Sequence, residues 1–360
     1  MERVVMKGCE AIAEAAIRAG CRFFAGYPIT PQNEVPEYFS RKLPQVGGIY
    51  LQGESETASA AMLYGAGCTG IRAMTSSSSC GISLMSEAIA WMAGADLPVV
   101  ICNVMRGGPG IGSIQPSQQD YFQATKASGN GGFRMIVFAP STVQEAVDFT
   151  YQAFDYADKY RKPVLLLVDG FIGAMMEPVV LPPMRSDEEL AAFRAAKDWA
   201  PRGNKGQRPN HNILGGVGLS KLRMQDLNQQ DAELYEQWKQ TEVDVELYMM
   251  DDAEYVLTGY GTSARIAKSV VKTLRAEGIK AGLIRPRRVY PFPEKVFDEL
   301  DYNRVKGILS VEMSIPAQYV EDVKNAVHGR TTIVTSLRSG GEILETADVL
   351  AAAHELAGVK

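Results

Sequence analysis

Apolar positions in the first half of the chain follow two alternating rhythms. Cys9, Ile12, Ala13, Ala16 and Ile17 recur at three- and four-residue spacing, which predicts a helix over 5–20 closed by Gly20. Unbroken apolar runs at CRFFA (21–25), GIYLQ (48–52), IRAMT (71–75), LPVVICNVM (97–105), MIVFA (135–139) and PVLLLVD (163–169) predict buried strands. Helices predicted over 34–42, 56–67, 82–92 and 142–156 fall between them. Continuous apolar strands alternating with helices make an α/β fold, a parallel sheet covered on both faces. Such folds carry their functional groups in loops after the carboxyl ends of strands, and three loops qualify: 26–33, 76–81 and 106–118.

The rhythm stops at about residue 185. Residues 185–250 are polar, as in RGNKGQRPNHN and QDLNQQDAELYEQWKQ, and read as a linker with one helix at about 225–247 that wraps the core. From Glu254 the alternation returns through EYVLTGYG, KAGLIRP, KGILSVEM and TTIVTS, with helices between them. The chain therefore divides into an α/β domain over 1–184, a linker over 185–250 and a smaller α/β domain over 251–360.

Composition narrows the function. Lys and Arg number 37 against 42 Asp and Glu, a net charge of −5, and no dense basic run suggests nucleic acid. The cysteines, Cys9, Cys21, Cys68, Cys80 and Cys102, include no C-x-x-C pair, which excludes the close grouping of an iron–sulfur or structural zinc site. Their odd number and wide spacing fit no disulfide framework and suit a reducing cytoplasm. His211, His328 and His354 are scattered, so no metal ligand set is expected. The N-terminal stretch carries charges throughout, and no run approaches the about 20 apolar residues that span a bilayer.

Several motifs carry candidate chemistry, each beside a plainer reading. In GYPITP (26–31) two prolines fix the backbone around Thr30, either as a rigid turn or to present its hydroxyl. In QGESETASAAM, Glu56 opens a helix of small residues, where the helix dipole alone would favour an acid. Buried beside the like charge of Glu54, the same carboxyl could share a proton with a ligand nitrogen. TSSSSCG (75–81) reads as a helix cap or as hydroxyl and N–H donors to a ligand. MRGGPGIGSIQPSQQD places Arg106 just after a buried strand, where a guanidinium can pair with a carboxylate through two hydrogen bonds. GGPGIG lacks the context of a phosphate loop. GYGTSARIA (259–267) is either a tight strand-to-helix turn or an anion site. RPRRVYPFP (285–293) reads as a cationic loop, solvated or touching another subunit.

In this order the motifs GYPITP, E-S-E-x-A, AMTSSSSCGISLMSEAI, VMRGGPGIG with QPSQQD, GYGTSARIA and LIRPRRVYPFP resemble the α subunit of the 2-oxoacid:ferredoxin oxidoreductases, of the branched-chain (2-oxoisovalerate) type. The resemblance implies a pyrimidine-binding thiamine diphosphate domain followed by a transketolase C-terminal-like domain. It implies that Glu56 hydrogen-bonds the aminopyrimidine nitrogen, that Thr30 and Arg106 lie near the substrate carboxylate, and that Pro28 and Ser79 contact the cofactor. No Gly-Asp-Gly occurs in the chain, and VDGF at 168–171 is only the nearest approach. The resemblance thus implies half of a cofactor site. A β subunit would supply the Mg²⁺ and diphosphate half, and γ and ferredoxin-like δ subunits the iron–sulfur clusters. The implied reaction oxidises a 2-oxo acid to an acyl-CoA, with electrons passing to ferredoxin, and no nucleic acid or membrane takes part.

Close alternatives are the 2-oxoglutarate and pyruvate enzymes of the same kind, the former expected to need a further cation. Rivals are the β-type chain of a lipoamide-linked 2-oxo acid dehydrogenase and a non-catalytic nucleotide-binding α/β protein. Thiamine binding that depends on Glu56 would exclude the last of these.

Overall fold

A computed structural model describes residues 3–126, 128–201 and 221–359. β1 (Arg3–Lys7) leads into α1 (Gly8–Arg18), β2 (Phe23–Gly26), α2 (Glu34–Lys42) and β3 (Ile49–Gln52). α3 (Glu56–Cys68), β4 (Ala73–Ser77), α4 (Cys80–Gly94) and β5 (Val99–Met105) follow. Next come α5 (Tyr121–Thr125), β6 (Ile136–Phe138), α6 (Val143–Tyr160), β7 (Val164–Asp169), α7 (Gly170–Ala174) and β8 (Met176–Val180). Beyond them lie α8 (Asp187–Ala196), α9 (Lys221–Thr241), β9 (Val245–Tyr248), β10 (Tyr255–Thr258) and α10 (Gly261–Ala276). The chain continues through β11 (Ala281–Pro286), β12 (Arg288–Tyr290), α11 (Glu294–Asp298), β13 (Gly307–Glu312), α12 (Tyr319–Val327), β14 (Thr332–Leu337) and α13 (Thr346–Ala357).

The apolar runs become a seven-stranded sheet in the order β12-β6-β7-β5-β4-β2-β3. Every neighbouring pair is parallel except β12 on β6. The strand order reverses at β2, with β3 on one side and β4 on the other, the arrangement that opens a crevice outside the carboxyl ends of the strands. A second sheet, β14-β13-β10-β11-β9, is parallel apart from β9. Its α10 and α13 bury one face through Leu257, Val271, Leu283 and Leu309. Ile284, Ile308 and Tyr319 join the main core of the first sheet. A parallel α/β unit followed by a smaller one is therefore the architecture, as the sequence predicts.

Three expectations need correction. Residues 5–7 are not helical: they belong to β1, which pairs antiparallel with β8, and the helix begins at Gly8. Segment 185–250 holds two helices, α8 and α9, and a strand, β9, that belongs to the second sheet. In α9, Trp238 is fully buried against Tyr160 and Tyr235, so this helix is packed into the core. RGNKGQRPNHN, including His211, lies outside the described residues.

The cationic segment 285–293 is no solvated loop. Arg285 and Arg288 are buried, and 288–290 form β12, the outer strand of the first sheet. Arg285 pairs with Glu145 on α6 and Glu246 on β9, each at 2.6 Å. Arg288 pairs with Glu242 at 3.1 Å and donates to the Tyr156 hydroxyl at 2.6 Å. The charges that neutralise them come from acids as much as 140 residues away along the chain, so the sequence reads as exposed what the fold buries. Among the described residues no helix is long and apolar enough to cross a membrane.

Candidate functional site

Because β2, β3, β4 and β5 are parallel, the segments after them meet at one edge of the sheet. These carry Pro28 and Thr30, Glu56, Ser79, and Arg106 respectively. Pro28 is exposed and Thr30 partly so, on the loop after β2. The Thr30 hydroxyl accepts from Asn33 Nδ2 at 3.4 Å, and its carbonyl accepts from Arg106 Nη1 at 3.0 Å.

Glu56 is the first residue of α3, capped by Ser55, whose hydroxyl accepts the Ala58 N–H at 3.1 Å. The N-terminal position read from sequence is therefore met, and it leaves Glu56 buried at 5% exposure. Its carboxylate faces the start of α4: a Cβ built on Gly81 would lie 2.8 Å from Glu56 Oε1 and 2.0 Å from Ser77 Oγ. Only glycine leaves this cradle open. The Ser77 and Ser78 hydroxyls are buried without a hydrogen-bond partner, a condition that costs free energy unless a ligand or water answers it. Unanswered hydroxyls beside an unengaged carboxylate suit a polar ligand that can donate and accept hydrogen bonds.

Arg106 follows β5 directly and is buried at 6% exposure. Besides the Thr30 carbonyl, its guanidinium reaches Cys80 Sγ at 3.1 Å, and its Nε has no partner. The other buried cations all have carboxylates: Arg72 on Asp155 and Asp158, Lys162 on Asp96 and Asp231, Lys197 on Asp158, Arg285 on Glu145 and Glu246, Arg288 on Glu242. Among the described residues Arg106 is the exception. The buried acids repeat the pattern. Asp169, Glu242, Glu312 and Asp322 are each hydrogen-bonded, and Glu56 is not. A buried charge without a partner is costly, and this edge holds one of each sign, on either side of the first turn of α4.

Ser79 does not cap α4 with its side chain; it stands at φ 34°, a strained value for a residue with a Cβ. Its N–H donates to Asn103 Oδ1 at 2.9 Å, and its hydroxyl donates to Asp120 Oδ2 at 2.6 Å while accepting the Arg106 N–H at 2.9 Å. Asn103 Nδ2 also donates to Asp120 Oδ2, at 2.9 Å. Burial raises the Asp120 pKa, against the Ser79 and Asn103 hydrogen bonds and the Arg106 charge. Asp120 lies in QPSQQD, where nothing in the spacing shows that it turns back onto Ser79.

The turn GYGTS meets an anion of its own chain. Asp169, at the end of β7, accepts the Thr262 N–H and hydroxyl, each at 2.7 Å, at the N-terminus of α10. Gly261 stands at φ 55°, and a Cβ there would lie 2.5 Å from Asp169 Oδ2. Glu312 fills the start of α12 in the same way, accepting from the Gln318, Tyr319 and Val320 N–H groups. Gln118 completes the join between the two sheets. Its Nε2 donates to the Tyr260 carbonyl at 2.8 Å, and its Oε1 accepts from Ser263 at 2.6 Å and from the Met313 N–H at 3.2 Å.

Residues 14–247 match the family model described as pyruvate flavodoxin/ferredoxin oxidoreductase, thiamine diphosphate-binding. Residues 253–349 match that of pyruvate:ferredoxin oxidoreductase core domain II. The chain is 43% identical over 358 residues to the ketoisovalerate oxidoreductase subunit VorB of Methanothermobacter thermautotrophicus, covering 99% of each. It is 34% identical to the 2-oxoglutarate synthase subunit KorA of Methanocaldococcus jannaschii, over 94% of this chain and 95% of that one. The solved 2-oxoglutarate:ferredoxin oxidoreductase from Magnetococcus marinus shares the fold with a TM-score of 0.86 at 24% identity, over 99% of this chain and 65% of that one. A split-gene transketolase shares it more distantly, with a TM-score of 0.60 at 13% identity.

Proposed function

The chain belongs to the 2-oxoacid:ferredoxin oxidoreductase family, and we propose that within it this is the subunit that recognises a branched-chain 2-oxo acid, 2-oxoisovalerate, for oxidation to its acyl-CoA. The observation that carries the reading is a buried guanidinium and a buried carboxylate at one sheet edge, neither of them in an ion pair among the described residues. Arg106 answers the carboxylate shared by every 2-oxo acid, through two charge-assisted hydrogen bonds. The Thr30 carbonyl keeps the guanidinium turned toward the edge. Identity to the ketoisovalerate subunit exceeds that to the 2-oxoglutarate subunits, 43% against 32–35%, and favours the branched side chain.

Thiamine diphosphate, when bound, supplies the electron sink by which a 2-oxo acid loses CO₂. Glu56 would hold the cofactor's pyrimidine by sharing a proton between its carboxylate and the ring nitrogen. Pro28 would flank the ring from the loop after β2. Ser79, whose polar groups are engaged within the protein, would shape the cradle floor, with the Ser77 and Ser78 hydroxyls free to donate. Burial strengthens each of these contacts, because a low-dielectric site screens charge less than water does.

The diphosphate and its Mg²⁺ would be held by a β subunit, and iron–sulfur clusters by γ and ferredoxin-like δ subunits, with CoA and ferredoxin as co-substrates of a cytoplasmic complex. The face beside Glu56 supports a partner there. After Glu56, α3 has no charged residue, and α4 has only Glu87. Met62, Leu84 and Trp91 on these helices are 37%, 58% and 53% exposed, and apolar helix faces left open mark docking surfaces.

The test is to purify the native complex on a tag carried by this chain and measure viologen reduction with 2-oxoisovalerate, 2-oxoglutarate and pyruvate. The expected result is CoA-dependent reduction, with kcat/KM for 2-oxoisovalerate about tenfold above the other two. No CoA-dependent reduction with any of them would overturn the reading; a preference for 2-oxoglutarate would overturn the substrate. The isolated chain should show no visible cluster absorbance and no tight thiamine diphosphate binding.

A further inference from the structure

The loop 115–120 touches both halves of the molecule. At Gln118 it is fastened to the second sheet, and two residues later Asp120 reaches back to the candidate site. Asp120 Oδ2 accepts from Ser79 on one side and Asn103 on the other. With the Ser79 proton committed to Asp120, an oxygen lone pair of Ser79 faces the Arg106 N–H. The same hydroxyl lies 3.2 Å from the Arg106 carbonyl, a competing acceptor toward which it would turn if Asp120 were absent. Among the described residues Asp120 forms no ion pair with Arg106 within 4 Å; the two charges still attract at longer range, and the hydrogen-bonded route from Asp120 to Arg106 runs through Ser79. Asp120 also helps hold Ser79 at φ 34°, a strained backbone conformation that persists only where the surroundings over-determine it.

We propose that Asp120 is a positioning residue for Arg106: through the Ser79 hydroxyl it fixes the backbone from which the guanidinium meets the substrate carboxylate. The inference rests on the reading of Arg106 given above. Its consequence is selective. A carboxylate clamp displaced by a fraction of an ångström loses substrate binding, while contacts that do not run through Arg106 are untouched.

The experiment compares Asp120→Ala, Asp120→Asn, Ser79→Ala and Arg106→Ala in the assembled complex, reading KM for the 2-oxo acid, KM for CoA and kcat. Asp120→Ala should raise the 2-oxo acid KM about 10- to 100-fold with the CoA KM unchanged. Asp120→Asn keeps an acceptor oxygen in place and should hold the rise to about threefold. Asp120→Ala combined with Ser79→Ala should be no worse than the worse single variant, since both lie on one path. If Asp120→Ala fails to assemble, Asp120→Asn and Ser79→Ala carry the same comparison. Equal changes in both KM values, a kcat loss at unchanged KM, or additive effects of the two variants would overturn the proposal. If Arg106→Ala raises the 2-oxo acid KM and Asp120→Ala does not, the positioning role falls alone; if neither does, the carboxylate reading falls with it.

Discussion

Replacing Glu56 with glutamine separates the two readings of that residue. As a helix-end acid, Glu56 interacts with the dipole of α3, a contribution of about 0.3–1 kcal/mol. The structure gives it no hydrogen bond or ion pair among the described residues, so Glu56→Gln breaks no contact within the chain. The change is nearly isosteric and removes a buried charge, which offsets part of the dipole loss. The expected shift in melting temperature is about 3 °C or less. The catalytic cost is of another size. A hydrogen bond to a charged group contributes about 1.5–3 kcal/mol, and a positioned proton-sharing carboxyl contributes about 10²–10⁴ in rate. Turnover of the reconstituted complex should therefore fall about 100-fold or more. Glu56→Asp sharpens the comparison, because it keeps the charge at the helix end and shortens the reach by one methylene. If only the dipole matters, Glu56→Asp works like the wild type; if a ring nitrogen must be reached, it is impaired too. Calorimetry and viologen reduction on the same preparations supply both numbers. Near wild-type turnover of Glu56→Gln, or a loss of folding as large as the loss of activity, would refute the reasoning.

Two further outcomes follow from how the halves are joined. Gly261→Ala places a Cβ at φ 55° and 2.5 Å from Asp169 Oδ2; it should cost about 3 kcal/mol, from the left-handed backbone and the displaced Asp169 hydrogen bonds, in denaturant unfolding, and a cost under about 1 kcal/mol would contradict that geometry. Burial would raise the pKa of Glu145 and of Glu246, but Arg285 with Ser141 at the first, and Lys268 with Arg285 at the second, hold both below the ordinary glutamate value of 4.5. Their stabilisation is thus full above that value and is lost as pH falls through their lower folded-state values. Acid unfolding followed by circular dichroism should be less steep in Glu145→Gln, and an unchanged slope would argue against the cluster.

The legible parts of this fold were those whose cause is local. Long apolar runs such as 97–105 and 163–169 could only be buried strands, and the small-residue run after Glu56 could only be a helix. Loops after those strands were therefore located correctly before any contact was known. What escaped depends on distant partners. Arg285 and Arg288 read as surface because Glu145, Glu242 and Glu246 lie far off along the chain. β12 has three residues, too few for a period. Residues 5–7 read as the start of the helix that follows, and the pairing of β1 with β8 comes from the other end of the domain. GYGTS reads from sequence as either a tight strand-to-helix turn or an anion site; it is a turn whose N–H groups are met by Asp169 of the same chain. Asp120 was visible only as the last letter of a polar loop.

The antiparallel strand β12 crosses from the C-terminal part of the chain to complete the first sheet at β6. The two α/β halves are consequently not interchangeable modules. Cutting near residue 250 would leave Ile136–Phe138 as a bare apolar edge, open to pairing with any other chain. Recombination or fusion that swapped the C-terminal part for an unrelated one would have to bring a matching strand with it. Selection on this short segment is thus coupled to the candidate site's own sheet.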